Sequence, residues 1–245
     1  MTAAVAMEHE TLRDRICRDS AGLDRVCHEL RRPVAVITAY TEVLEDELSG
    51  PLNAEQKAHL AIVRRSAGRL TRSIDDLFLV FHSMLEQTPP RLERQDLERL
   101  CYDLAEQLEE AFVERGVKLS LLTKGPLWHA AVDVQRLRLA LTRLLENTLA
   151  YAPEGGDVAL KLETNGHWIS FEVRDPGPCL TKEDLERAFD FLYRPERNRI
   201  GECDRGGADL SVCRVLIESL GGRVRAENRF GEPTTYTLEL PAKGG

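Results

Sequence analysis

The sequence predicts two unlike parts in tandem: an all-α two-helix hairpin, closed into a four-helix bundle as a dimer, followed by an α+β sandwich. Three observations predict this. Apolar residues recur at heptad spacing from Thr11 to Leu48 and at three-four spacing from Leu60 to Met84. Thr88-Pro89-Pro90 then ends the helical pattern. Beyond it, short alternating segments are interleaved with amphipathic helical ones. The 245 residues suffice for one large domain or two small ones. The paired prolines read as a short stiff linker and divide the chain into 1–88 and 89–245.

In the first helix Ile16, Leu23, Leu30, Ile37 and Leu44 stand seven apart, flanked by Cys27, Val34, Thr41 and Leu48; only Gly22 and Pro33 interrupt. That is one continuous seam. Ser49-Gly50-Pro51-Leu52-Asn53 supplies a stop, a tight turn and, in Asn53, an N-cap for the next helix. There Leu60, Val63, Ala67, Leu70, Ile74, Leu77, Phe81 and Met84 alternate three and four apart. Two such helices paired only with each other leave half of each apolar stripe in water. This predicts a homodimer through residues 12–86. Periodicity alone equally fits a plain coiled-coil spacer.

After the linker, 96–114 reads as an amphipathic helix and Val117 to Leu121 as a strand. Ala131-Val132-Asp133 leads into a helix over 134–151. Strands follow at 157–163 and 168–174, then helices at 182–191 and 210–220, and a last hairpin of 223–228 with 234–240. Helices segregated against an antiparallel or mixed sheet make an α+β sandwich.

A net charge of −8 and a pI near 5.4 argue against a general nucleic-acid binder. The longest apolar stretch, Leu77 to Leu85, is far shorter than a membrane span, so no membrane partner is expected. Cys17, Cys27, Cys101, Cys179, Cys203 and Cys213 form no C-x-x-C pair, which signals neither a zinc cluster nor a redox dithiol. With no secretion signal evident, isolated thiols fit a reducing cytoplasm. His9, His59, His82, His129 and His167 show no metal-ligand spacing.

His28 lies about 200° around the first helix from Leu30, turned away from the seam. Its surroundings, His28-Glu29-Leu30-Arg31-Arg32-Pro33, resemble the H box of histidine kinases, H-E-L-R-T/N-P. The hairpin correspondingly resembles that family's dimerisation and histidine-phosphotransfer domain. A neutral imidazole is a competent nucleophile. Glu29 is placed to accept the other ring N–H and favour the charge that develops on attack. Pro33 leaves the Glu29 carbonyl without its helical partner and bends the helix. The family's Thr or Asn, four residues after the histidine, positions the water that hydrolyses phosphoaspartate. Arg32 stands there, so phosphatase activity by that route is not expected.

Asp133, Leu144-Leu145-Glu146-Asn147, Tyr151, Pro153 and Gly155-Gly156 are similar to the N box of the same family, whose ATPase domain has the GHKL (Bergerat) fold. The resemblance implies that Asn147 ligates Mg²⁺ and that Tyr151 lines the nucleotide pocket. Two family residues are replaced: the earlier Asn by Arg143 and the phosphate-reaching Lys by Ala150. Asp175-Pro176-Gly177-Pro178-Cys179 resembles the G1 box, D-x-G-x-G, with Asp175 and Gly177 implied in adenine recognition and Cys179 in place of the second glycine. Phe189 to Arg194 resembles the F box, where Arg194 reaches towards the γ-phosphate. Arg205-Gly206-Gly207-Ala208-Asp209-Leu210 is a thinned G2 box, with Gly206 and Gly207 implied in phosphate binding. Asp209 is expected as an N-cap that occupies the helix amides and repels phosphate. Against this, Arg194, Arg197, Arg199 and Arg205 make a basic lid whose guanidinium forks suit phosphate oxygens, and the sequence leaves the balance of the two open.

The residues leave two functions open. One is a cytoplasmic protein-histidine kinase that takes ATP and Mg²⁺, autophosphorylates His28, and passes the phosphoryl group to an aspartate of a response regulator receiver domain. The other is a histidine phosphotransferase or pseudokinase scaffold that binds response regulators without binding ATP.

Overall fold

The computed structural model describes residues 2–48, 50–85, 89–124, 129–191, 193, 195, 209–228 and 233–242, without the side chains of 2–21, 23, 24 and 81–85. The chain divides into two compact units, Met1–Gln87 and Thr88–Gly245.

The first unit is a helical hairpin of α1 (Thr2–Glu45) and α2 (Ala54–Leu85). Helix α1 begins nine residues before Thr11 and runs through Pro33. The reversal needs Gly50 at φ 116, a backbone region closed to other residues, and Glu47 at φ 56. Asn53 then starts α2 with a reciprocal cap. Gln56 N donates to Asn53 Oδ1 at 2.8 Å, and Asn53 N donates to Gln56 Oε1 at 2.9 Å.

Packing in the hairpin corrects the expected seam. The α1 row that meets α2 is Cys27, Val34 and Thr41, all buried, closed by Ala67 and Ile74 of α2 and by Phe78. The heptad row Leu30, Ile37 and Leu44 stays 44, 46 and 38% exposed, as do Val63 (41%) and Leu70 (50%) on α2. A cluster so small leaves most of the apolar stripe in water. Polar links supplement it. Arg31 meets Asp75 Oδ1 through Nη2 at 2.8 Å and Nε at 2.9 Å, and its guanidinium lies 4.9 Å above the Phe78 ring.

The second unit holds β1 (Glu93–Asp96), α3 (Leu97–Glu114), β2 (Lys118–Lys124), β3 (His129–Val132) and α4 (Val134–Tyr151). Then follow β4 (Asp157–Thr164), β5 (Trp168–Asp175), α5 (Lys182–Arg187), α6 (Asp209–Ser219), β6 (Arg223–Glu227) and β7 (Thr234–Pro241). Five strands form a mixed sheet in the order β2-β4-β5-β7-β6, with β2 parallel to β4 and the other pairs antiparallel. Alternation along β4 and β5 turns Val158, Leu160, Leu162, Ile169, Phe171 and Val173 inward. Buried rows of α3 (Leu100, Leu104, Phe112), α4 (Leu137, Leu141, Leu144) and α6 (Val212, Leu216) complete the core. Asp96 and Asp133 cap α3 and α4 by accepting from amides of their first turns.

Two differences from expectation have simple causes. Strands β1 and β3 form a separate antiparallel pair; Glu-Arg-Gln-Asp in β1 carries no apolar alternation that could announce it. Helix α5 ends at Arg187 rather than continuing to 191. There Phe189 turns inward to meet the Tyr236 ring edge-on, centroids 6.2 Å apart.

Candidate functional site

His28 follows the fully buried Cys27 on α1 and is therefore turned out of the hairpin; it is exposed, and so are Glu29 and Arg32. Neither His28 nor Glu29 has a side-chain hydrogen-bond partner among the described residues. The expected support of the ring by Glu29 is thus not made in this conformation. One turn along, Arg31 is tied to Asp75, which fixes the helix pair beneath the imidazole.

In the second unit α4, the β5 end, the loop after it and α6 enclose a cleft of about 540 Å³ that opens to solvent. Asn147 and Tyr151, one turn apart on α4, face it together with Asp175, Pro178, Leu180, Tyr193, Leu210 and Tyr236. The structure thus brings together three of the residues expected at a nucleotide site: Asn147, Tyr151 and Asp175. Gly177 lies beside them. Arg194, Gly206, Gly207, Arg197, Arg199 and Arg205 lie outside the described residues.

Asp175 ends β5 and is buried at 5% exposure. Burial pushes its carboxyl up to about 6, although the Gly177 amide, donating to Oδ1 at 2.8 Å, works the other way. Gly177 is required for closeness rather than for a left-handed backbone. A Cβ there would stand 2.9 Å from Asp175 Oδ1 and 3.0 Å from the Tyr151 carbonyl oxygen. The glycine lets the loop after β5 lie against the end of α4.

The sequence reading assigned no role to Tyr193, which lines the cleft, or to Thr234, the strand partner of Asp175. The buried Thr234 Oγ1 has no hydrogen-bond partner among the described residues. Tyr193 donates to Asp184 Oδ1 at 2.8 Å, which pushes its phenol up. The Arg187 guanidinium lies 4.2 Å over its ring. Tyr193 falls inside the 189–194 stretch that resembles the F box, where the implied role went to Arg194; Thr234 lies in no motif, and a threonine in a strand is too common to signal a site.

Asp209 stands at the start of α6 as described, 5% exposed, and its carboxylate faces Arg143 of α4, Nη1 to Oδ1 3.6 Å. The charge expected to repel phosphate is opposed by a cation.

A nucleotide with its divalent ion fits the donors present. Magnesium takes hard oxygen ligands and retains phosphate oxygens and waters rather than a protein cage. Asn147 offers one such oxygen, and no group of three or more His, Cys, Asp or Glu suited to a metal occurs among the described residues. Asp175, on the cleft wall, suits the polar edge of a buried base.

Residues 132–244 match the family described as histidine kinase-, DNA gyrase B-, and HSP90-like ATPase, and residues 23–83 match the His Kinase A (phospho-acceptor) domain. The sensor protein SrrB of Staphylococcus aureus is 27% identical over 217 residues, 88% of this chain. The chain spans 37% of SrrB's length. Among solved structures, full-length ShkA in complex with AMPPNP superposes with a TM-score of 0.74 at 23% identity, covering 92% of this chain and 46% of ShkA. The Acinetobacter baumannii histidine kinase AdeS gives 0.62 at 18% identity, covering 89% and 98%. The structural likenesses speak to the fold. No helix among the described residues is long and apolar enough to cross a membrane.

Proposed function

This chain belongs to the two-component sensor histidine kinases, and on that premise we propose that it autophosphorylates His28 from ATP and passes the phosphoryl group to an aspartate of a response regulator. One observation carries the reading. Asn147, Tyr151 and Asp175, drawn from two motifs on different elements, converge on a single cleft. AMPPNP, the ATP analogue held in the full-length ShkA complex, is the kind of ligand that cleft would take.

In this reading Asp175 accepts from the adenine amino group, most strongly in its anionic form. Tyr151 and Leu180 flank the base, and Asn147 holds Mg²⁺ together with phosphate oxygens. Bound there, the ion supplies neutralisation of phosphate charge. Arg194 and the glycines Gly206 and Gly207 are proposed for the phosphates on the motif alone.

At His28 a ring-nitrogen lone pair forms the N–P bond as the bond from the γ-phosphorus to the ADP oxygen breaks, and ADP leaves. The imidazole becomes cationic in that step, and Glu29 is placed to balance the charge. Exposure of the ring permits attack and later transfer to a receiver. The wet face of Leu30, Ile37, Leu44 and Leu70 supports a homodimer. Arg32 argues against phosphoaspartate hydrolysis by the family's water-positioning route. The buried thiols Cys27, Cys101 and Cys213 suit a cytoplasmic setting.

The test is incubation with γ-labelled ATP and Mg²⁺, alongside His28→Ala and Asn147→Asp. Acid-labile, base-stable label on the wild type, lost in both variants, is expected. No label and no nucleotide binding, with phosphate accepted at His28 from a phosphorylated receiver, would establish the ATP-independent relay instead.

A further inference from the structure

Two residues that depart from the family pattern face each other. Arg143 lies one turn before Asn147 on α4, and its Nη1 stands 3.6 Å from Oδ1 of Asp209, the first residue of α6. The same nitrogen is 3.8 Å from Glu146 Oε2. At these separations the contact is an ion pair rather than a tight hydrogen bond. The Arg143 and Asp209 side chains are only 16% and 7% exposed, so water screens them poorly. A buried guanidinium without a counter-ion is costly, and so is a buried carboxylate; each of these residues offsets the other's penalty. The position of Asp209 in the first turn of α6 adds a favourable helix-dipole term.

Beside the pair, two further polar contacts join α4 and α6 among the described residues. Arg136 Nη1 donates to Ser219 Oγ at 3.0 Å, and Cys213 Sγ donates to the Ala140 carbonyl at 3.1 Å. Of the three, the Arg143–Asp209 link is nearest the cleft: Asn147 and Leu210, which border it, are both wall residues. Tyr151 and Asp175 mark the other end, with Tyr151 roughly 12 Å from Arg143 along the helix axis at 1.5 Å per residue.

We propose that Arg143 and Asp209 are a positioning pair for the phosphate end of the nucleotide site. They clamp the first turn of α6 to α4 and so set Leu210 against Asn147 before ligand arrives. The two departures are then one paired replacement, and neither residue works without the other. This rests on the nucleotide reading given above, which defines the Asn147 end as the phosphate end.

The experiment compares Arg143→Ala, Asp209→Ala, the double alanine variant and the charge exchange R143D/D209R. Each full-length protein is titrated with Mg²⁺·AMPPNP and, separately, with adenosine. Amide hydrogen exchange is followed at Cys213 to Leu216, whose acceptors lie in the first turn of α6. Each single variant should weaken AMPPNP binding about 10-fold, the double variant by about the same factor, and the exchange should recover most of the loss. Adenosine affinity should stay within about twofold throughout, because its contacts lie at the far end; a general loss of fold would lower both affinities.

Tighter AMPPNP binding by Asp209→Ala would overturn the proposal and restore Asp209 as a repelling charge. Independent, multiplying effects of the single variants, or equal losses for both ligands, would also overturn it. If the wild type binds neither ligand, the kinase reading has failed, and the clamp is judged by hydrogen exchange alone. Faster exchange in the single variants with recovery in the charge exchange supports it; unchanged exchange in the single variants overturns it.

Discussion

The Gly177 amide donates to Asp175 Oδ1 at 2.8 Å, and a Cβ on the same glycine would stand 2.9 Å from that oxygen. One residue thus both holds the carboxylate and leaves room for it. Gly177→Ala should displace the Asp175 carboxylate or push the loop off the Tyr151 carbonyl. Overpacking of this kind costs about 1–3 kcal/mol. A thermal melt should register that loss, and calorimetry should find ATP binding weakened by about 10-fold or more. A variant with wild-type affinity would remove Asp175 and Gly177 from the base-recognition site.

Asp175 also predicts a pH dependence. Burial raises its carboxyl from the ordinary carboxylate range to about 6. Because the folded-state value lies above the unfolded one, the favourable contribution is complete below about pH 4 and lost as pH rises through about 6. Asp175→Asn should therefore be more stable than wild type above pH 7, by on the order of 2 kcal/mol, and the gap should close towards pH 4. ATP affinity should run the opposite way. In wild type it falls as pH drops below about 6, where the acceptor becomes protonated. In Asp175→Asn it is weak and lacks that step. Melting curves and titrations across pH 4–8 check both.

Ile37 and Leu70, 46 and 50% exposed in the single chain, belong to the apolar face left over by the hairpin. Ile37→Asp or Leu70→Asp should leave the hairpin's own buried row intact while placing a charge in the dimer contact. The expected penalty is about 2–4 kcal/mol per substituted site, a rise in the dimer dissociation constant of roughly 30-fold or more. Sedimentation velocity reads this directly. An unchanged dimer, or a wild type that is monomeric at micromolar concentration, would rule out this face.

Much of the fold was legible because amphipathic periods are local. The helix over 134–151 and the strands near 157–164, 168–175 and 234–241 follow from apolar spacing and Asp133 as a cap. Strand β1 was not legible, since Glu-Arg-Gln-Asp gains its conformation only by pairing with β3. Of the cleft, Asn147, Tyr151, Asp175 and Gly177 could be named from motif order. Leu180 and Tyr236 could not, because their place on its wall is a property of the tertiary fold.

Residue order by itself determined where most helices and strands form, that His28 faces away from the apolar stripe, and that Asn147, Tyr151 and Asp175 belong together in one cleft. Only tertiary structure decided which of two neighbouring apolar rows α1 presents to α2. Leu30 and Val34 lie about 40° apart on one broad stripe, so spacing favours neither, and the partner helix selects. Tertiary structure likewise gave Asp209 a counter-charge that residue order does not announce. A carboxylate's effect depends on the nearest opposite charge, and Arg143 reaches it only because α4 and α6 pack side by side.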